Sequence, residues 1–349
     1  MFFLKIFVFA TFFAVLAAGC ASSPAPGNGI VHAPPQSDES TMARREEELA
    51  KTLASCETRG LAFRPEMLAE RYFTSPADFL ALVRRFGFNR LYVYLDSPES
   101  LELPQLDALL VEAGKEGMPV EAVLPEGRYV IGRRGNFILR SFVSSGTTLE
   151  EMLEHLRKFE TESEPFRFSG VTVLAEPHTF TSANIHRPKA LVYAWSSDTF
   201  GPGLDNDRIM RITLDKLAAF GGKLGGIPYT VGIPDFYEEL VAEGKLSAGS
   251  VRDFGGIASK VLIRNAGNKP TETVEAVRNE LKAAKPGTLL VSITLAEHTS
   301  VTSGSLRRRN WADFIRSLDY AIGQWKTFPA FDGVVLGPFP RIETLYQEK

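Results

Sequence analysis

Two glutamates sit in matching surroundings. Glu176 follows the apolar run GVTVLA and precedes Pro177-His178, and Glu297 follows LLVSITLA and precedes His298. Each reads Leu-Ala-Glu at the end of a β-branched run. A carboxyl pair facing one cleft can break a glycosidic bond. One stays protonated and gives its proton to the leaving oxygen, while the other stays ionised and attacks the sugar carbon or activates water. A separation of about 5–5.5 Å favours retention of configuration, and about 6.5–9.5 Å favours inversion. Glu176 and Glu297 are the candidates for these two parts. His178 and His298 are placed to tune those acids or to hold sugar hydroxyls. The same four side chains also suit a zinc ion. Ligands from separate strands carry no diagnostic spacing, so a metal-dependent hydrolase or deacetylase stays open. The two-carboxylate reading itself needs no metal and no cofactor. The structural alternative for Glu176 is a carboxylate that caps the next helix or pairs with Arg264.

For these residues to meet, the chain must bring strand ends together. Short apolar runs over 60–63, 90–95, 120–124, 170–174, 229–233, 260–263, 289–295 and 333–336 read as strands. Longer amphipathic stretches between them read as helices over 75–86, 104–115, 148–161, 207–220, 234–243, 270–284 and 310–325. Ser75-Pro76 and the Thr148…Glu151 capping box mark helix starts, and Gly87, Gly117, Gly221-Gly222 and Gly244 mark ends. Strand-then-helix alternation, with runs apolar on both faces, predicts a parallel sheet covered by helices. Eight strands fit a single-domain α/β fold, the (β/α)₈ TIM-like barrel, and about 250 residues is its usual size. The first run, GLAF, is very short. Without it an open doubly wound sheet or an incomplete barrel remains, although no GxGxxG loop follows an early strand.

Barrel enzymes place reacting groups at the carboxyl ends of their strands. Besides the two glutamates, those positions hold Arg64, Asp96, Glu126 with Arg128, Asp235, Arg264 with Asn265, and Arg341. Asp96, Asp235, Asn265 and Tyr229 are expected to line the cleft. A long insertion over 179–206 carries Tyr193, Trp195 and Phe200. Exposed aromatics there would stack on sugar faces, with Trp195 as a substrate wall; the alternative is a satellite core under the loop. Arg128, Arg133, Arg134 and Arg140 fall in another insertion, and Arg307-Arg308-Arg309 precede the last long helix. The first group reads as a solvated face or as a hold on an anionic polymer, and the triplet as a solvated turn or as a contact for lipid phosphates or acidic glycans.

An acid/base glutamate on strand four and a nucleophilic glutamate on strand seven are the arrangement of the large clan of retaining (β/α)₈ glycoside hydrolases, which this sequence resembles; the resemblance implies Glu176 as general acid/base and Glu297 as nucleophile or stabiliser. Glu176-Pro177 is similar to that clan's Asn-Glu-Pro, with Ala175 in place of the asparagine that holds the sugar 2-hydroxyl. The stretch FSGVTVLAE over 168–176 also resembles the chitinase strand-four signature. Of its acids only Glu176 is present, with Thr172 and Leu174 where aspartates would stand. The resemblance implies a polysaccharide or oligosaccharide partner. The missing residues leave a non-catalytic glycan-binding or envelope-assembly role as the rival.

The N-terminus reads as an address. Lys5 is followed by an apolar run from Ile6 to Ala18, too short to span a bilayer at about 20 residues. Leu16-Ala17-Ala18-Gly19-Cys20 resembles the bacterial lipoprotein box, which implies a signal peptide over 1–19 and acylation of Cys20. Several acyl chains, at about 0.8 kcal/mol per buried CH₂, give a stable membrane anchor. With Ala21 rather than Asp after the cysteine, the resemblance implies the periplasmic face of the outer membrane in a Gram-negative host. Residues 20–41 are rich in Pro, Ser and Gly and read as a flexible tether, and 42–349 as the barrel with a lead-in helix over 42–56. Across all 349 residues the hydrophobic fraction is 44%, the charged fraction 23% and the net charge −3, which excludes disordered, collagen-like and coiled-coil chains. That balance gives no electrostatic footprint for nucleic acid. Of the two cysteines, Cys56 is left without a partner and reads as a buried structural thiol.

Overall fold

The computed structural model describes residues 39–69, 75–95, 100–101, 103–124, 152–154, 156, 168–179, 195–264, 270–294, 310–339 and 342. Eight parallel strands close into a barrel in chain order. They are β1 (Thr58–Phe63), β2 (Arg90–Tyr94), β3 (Val120–Leu124), β4 (Gly170–Leu174), β5 (Tyr229–Pro234), β6 (Lys260–Arg264), β7 (Leu289–Thr294) and β8 (Phe331–Gly337). The short first run is a full member of the ring, paired with β2 on one side and β8 on the other. The expected (β/α)₈ barrel is therefore the observed fold.

Strand alternation sorts the side chains into two cores. Outward residues such as Leu61, Val93, Val171, Val231 and Val291 pack under the helices. Inward residues Ala62, Tyr92, Val123, Leu174, Leu262, Leu290 and Val335 form a separate cluster inside the ring. Two glycines make room in that narrow interior. A Cβ on Gly60 would lie 2.4 Å from the Tyr92 ring, and one on Gly232 would lie 2.4 Å from Leu174 Cδ2. At the amino ends of the strands the interior is closed by charge. Arg90 Nη1 donates to Glu121 Oε1 at 2.8 Å, and Thr172 Oγ1 donates to Glu121 Oε2 at 2.7 Å. Across the ring, Lys260 Nζ donates to Asp332 Oδ2 at 2.6 Å and to Thr58 Oγ1 at 3.1 Å.

The described helices are α1 (Glu39–Leu53), α2 (Pro76–Arg85), α3 (Pro104–Lys115), α4 (Asp205–Lys223), α5 (Tyr237–Ala242), α6 (Val251–Ile257), α7 (Pro270–Ala276), α8 (Arg278–Ala283) and α9 (Trp311–Trp325). Ser75 and Asn310 cap α2 and α9 by accepting from the backbone N–H of Asp78 and Asp313. Helix α1 starts three residues ahead of the expected lead-in helix and packs on α2 and α9. Trp311 Nε1 donates to Glu48 at 2.8 Å, and Arg45 lies over the Trp311 ring at 5.9 Å.

Three helix expectations are corrected. Gly221-Gly222 does not end α4, which runs on to Lys223. Gly221 instead lets the Tyr229 ring approach, since a Cβ there would be 3.2 Å from it. The single helix expected over 270–284 is two helices, broken at Val277. Helix α6 was not expected, because Gly255-Gly256 lowers its helical propensity. Its Ser250…Asp253 capping box was the available signal. The helix expected over 148–161 lies largely outside the described residues, as do the leader, Cys20 and most of the tether. No helix among the described residues is long and apolar enough to cross a membrane.

Burial pushes the Cys56 thiol up to about 11, which fits an inert structural cysteine. Glu280 on α8 is the unusual acid of the helix layer. It is 1% exposed, and its Oε2 has no hydrogen-bond partner. Burial first, then the like charges of Asp235, Glu238 and Glu239, push its carboxyl up to about 8. The folded state thus prefers the neutral acid, and stability falls as pH rises from the ordinary carboxyl range through about 8. Glu280→Gln removes that titration. In urea unfolding at pH 5 and pH 8.5, the variant's stability relative to wild type should rise by on the order of 4 kcal/mol between the two. An unchanged difference would contradict a buried neutral acid.

Candidate functional site at the carboxyl ends of the strands

The inward alternation of β4 continues past its end. Thr172 and Leu174 point into the ring, so Glu176 falls on the same phase at the mouth. On β6 the inward set is Lys260, Leu262 and Arg264. β5 lies between them, in register through Leu174↔Gly232 and Pro234↔Arg264. Gly232 and Pro234 carry no long side chain on that phase, and Arg264 Nη1 reaches across to form an ion pair with Glu176 Oε1. Glu176 is 7% exposed as a residue, whereas the Arg264 side chain is 35% exposed.

That pair changes the expected chemistry of Glu176. A guanidinium in contact stabilises the ionised carboxylate, whereas a general acid must carry its proton. The geometry suits a base, a nucleophile, an electrostatic stabiliser or an acceptor of ligand hydroxyls. The pairing with Arg264 that the sequence left as an alternative is present.

The segment after Glu176 is fixed. Thr179 donates to the Glu176 carbonyl from its backbone N–H at 3.0 Å and from its Oγ1 at 2.7 Å, closing the 3₁₀ turn Pro177–Thr179. This turn sets His178 among aromatic rings, with centroids at 5.0 Å for Phe236, 5.7 Å for Tyr237 and 6.5 Å for Trp195. Its Nδ1 lies 2.7 Å from the Tyr237 hydroxyl. Burial lowers the imidazole to about 4, so the ring is neutral across the physiological range. Asp235, the first residue past β5, is half-buried.

Two expected cleft residues lie elsewhere. Tyr229 opens β5 at the amino end and points outward, with its ring 5.7 Å from Phe220 of α4. It is a core residue of the helix layer, not part of the mouth. Trp195 is 7% exposed, with its ring 6.0 Å from Phe200 and 6.2 Å from Tyr237. It packs as the satellite core under the insertion and offers no face for sugar stacking. For Trp195 the cause is the large aromatic surface, which gains more from burial against neighbouring rings than from exposure.

Asp96, Asn265, Glu297 and His298 lie outside the described residues, as do Glu126, Arg128, Arg133, Arg134, Arg140, Tyr193 and the Arg307–Arg309 triplet. Among the described residues no three His, Cys, Asp or Glu side chains are grouped closely enough to hold a metal ion. The sequence reading missed Tyr237, the hydrogen-bond partner of His178. Its signal is weak, a tyrosine that opens a short helix after β5.

No protein-family model and no curated protein matches this sequence. Several solved structures are similar in fold. The spore cortex-lytic enzyme SleL of Bacillus megaterium is 10% identical, over 84% of this chain and 74% of that one, with a TM-score of 0.49. The GH53 catalytic domain of Ignisphaera aggregans is 12% identical, over 80% and 84%, with a TM-score of 0.47. The PgaB (BpsB) glycoside hydrolase domain of Bordetella bronchiseptica is 13% identical, over 82% and 95%, with a TM-score of 0.45.

Proposed function

We propose that this chain is a glycan-binding barrel of the bacterial cell envelope, engaging a polysaccharide at the open end of its strands. One observation carries the binding mode. Glu176 stands on the inward phase at the mouth and is tied to Arg264, which favours a fixed anionic acceptor for ligand hydroxyls over a proton donor. The glycan class rests on the strand-four Glu-Pro and the paired Leu-Ala-Glu segments within a (β/α)₈ ring. The envelope location rests on the lipoprotein-like leader over 1–19 and the Cys20 that follows it.

A second reading is hydrolysis with reversed roles. The repeated Leu-Ala-Glu context favours it, because with Glu176 tied to Arg264 the proton donor's part falls to Glu297. Calorimetric titration against a polysaccharide panel, with reducing-end release followed in parallel, separates the two. Binding without release supports the glycan-binding role, and release that Glu297→Gln abolishes supports hydrolysis. Absence of both would overturn the glycan reading. Incorporation of labelled palmitate into wild type, and its loss in Cys20→Ser, tests the anchor separately.

A further inference from the structure

We propose that His178 is a ligand-binding residue of the mouth, donating its Nε2–H to a ligand oxygen, and that Tyr237 is the positioning residue that fixes this tautomer. The ligand half of the proposal rests on the glycan reading above. The Tyr237 hydroxyl oxygen takes a backbone hydrogen bond from His178, and its proton has two possible acceptors, His178 Nδ1 at 2.7 Å and the Ala175 carbonyl at 3.5 Å. The longer contact is at the limit of a hydrogen bond, so the hydroxyl proton goes to Nδ1. A neutral imidazole that accepts at Nδ1 carries its own proton on Nε2. Tyr237 cannot turn away. It is fully buried, with its ring stacked 6.3 Å from Phe254 and edge-on to Phe236 at 5.0 Å.

The other ring nitrogen is not sealed off. Nε2 has no partner among the described residues, yet it is not among their buried unpartnered atoms. A donor in that state faces water and is available to a ligand. The 3₁₀ turn that holds His178 is bonded to the Glu176 carbonyl, so Nε2–H and the Glu176 carboxylate are carried by one rigid segment. That segment carries a neutral donor and a charged acceptor two residues apart, chemistry that complements sugar hydroxyls. Burial alone sets the low affinity of this ring for a second proton, so the donor persists without charge well below neutral pH.

Long-range ¹H–¹⁵N spectroscopy of the full chain tests the tautomer without a ligand. The expected result is a neutral Nε2–H ring at pH 7, becoming a mixture of tautomers in Tyr237→Phe. A ring protonated at Nδ1 in wild type would overturn the proposal. The ligand half is tested with cello-, xylo-, manno- and chitohexaose. For a hexaose that binds, His178→Ala should weaken affinity about tenfold, the scale of one lost hydrogen bond. His178→Gln, whose amide N–H falls near the Nε2 position, should recover most of it. Equal binding by wild type and His178→Ala overturns this proposal while leaving the glycan reading intact. Failure of all four to bind wild type overturns both.

Discussion

Arg90→Met is expected to destabilise the barrel by about 3–5 kcal/mol, the usual cost of stripping one partner from a buried ion pair. Glu121 is 4% exposed inside the closed ring, and among the described residues its carboxylate is bonded by Arg90 and the Thr172 hydroxyl alone. Removing the guanidinium leaves an anion that water reaches poorly. A Cβ on Gly170 would already lie 3.1 Å from Glu121 Cγ, so the side chain has little room to swing aside. The double variant Arg90→Met/Glu121→Leu should recover most of the loss, because the penalty comes from the unpaired charge rather than from the missing bond. What remains should be about 1 kcal/mol, for the Thr172 hydroxyl left without its acceptor. Urea denaturation of the three proteins measures this. A single variant as stable as wild type would mean that the floor is open to solvent.

At the mouth the two halves of the Glu176–Arg264 pair should respond unequally. Glu176→Gln leaves a guanidinium that is already one-third exposed and can be hydrated, so stability should change by no more than about 1 kcal/mol. Arg264→Met leaves a carboxylate on a residue that is 7% exposed, and should cost about 2–3 kcal/mol. Ligand affinity should fall in both, by about 10- to 100-fold, since a charged acceptor or its anchor is lost. The asymmetry in stability, set beside similar losses in binding, separates a ligand-holding pair from a purely structural one. Thermal unfolding and titration calorimetry on the same samples supply both numbers. Unchanged affinity in Glu176→Gln would reduce the pair to a structural tie.

Most of the ring was legible because a buried parallel strand needs apolar β-branched residues on both faces. The bounds of β3 and β4 were readable to the residue, and the others to within two residues at each end. Helix ends were readable where a cap acted locally, as at Ser75 and Asn310. They were misread where glycine served a tertiary purpose, as Gly221 does under the Tyr229 ring. The site was legible only in part. Glu176 follows from strand phase, but its bond to Arg264 spans 88 positions and depends on the small residues of β5 between them. The inward or outward phase of a strand also decided Tyr229, whose place at the start of β5 faces it into the helix layer. Trp195 and Tyr237 meet around His178 only in the folded chain, so neither burial nor tautomer could be read from spacing.

The most direct test of the account is a crystal of the protein soaked with the hexaose that binds most tightly. The predicted result is a sugar at the carboxyl ends of the strands, with a hydroxyl on the Glu176 carboxylate and the Glu176–Arg264 pair intact. A saturating ligand seated elsewhere on the protein, with the mouth unaltered, would contradict it.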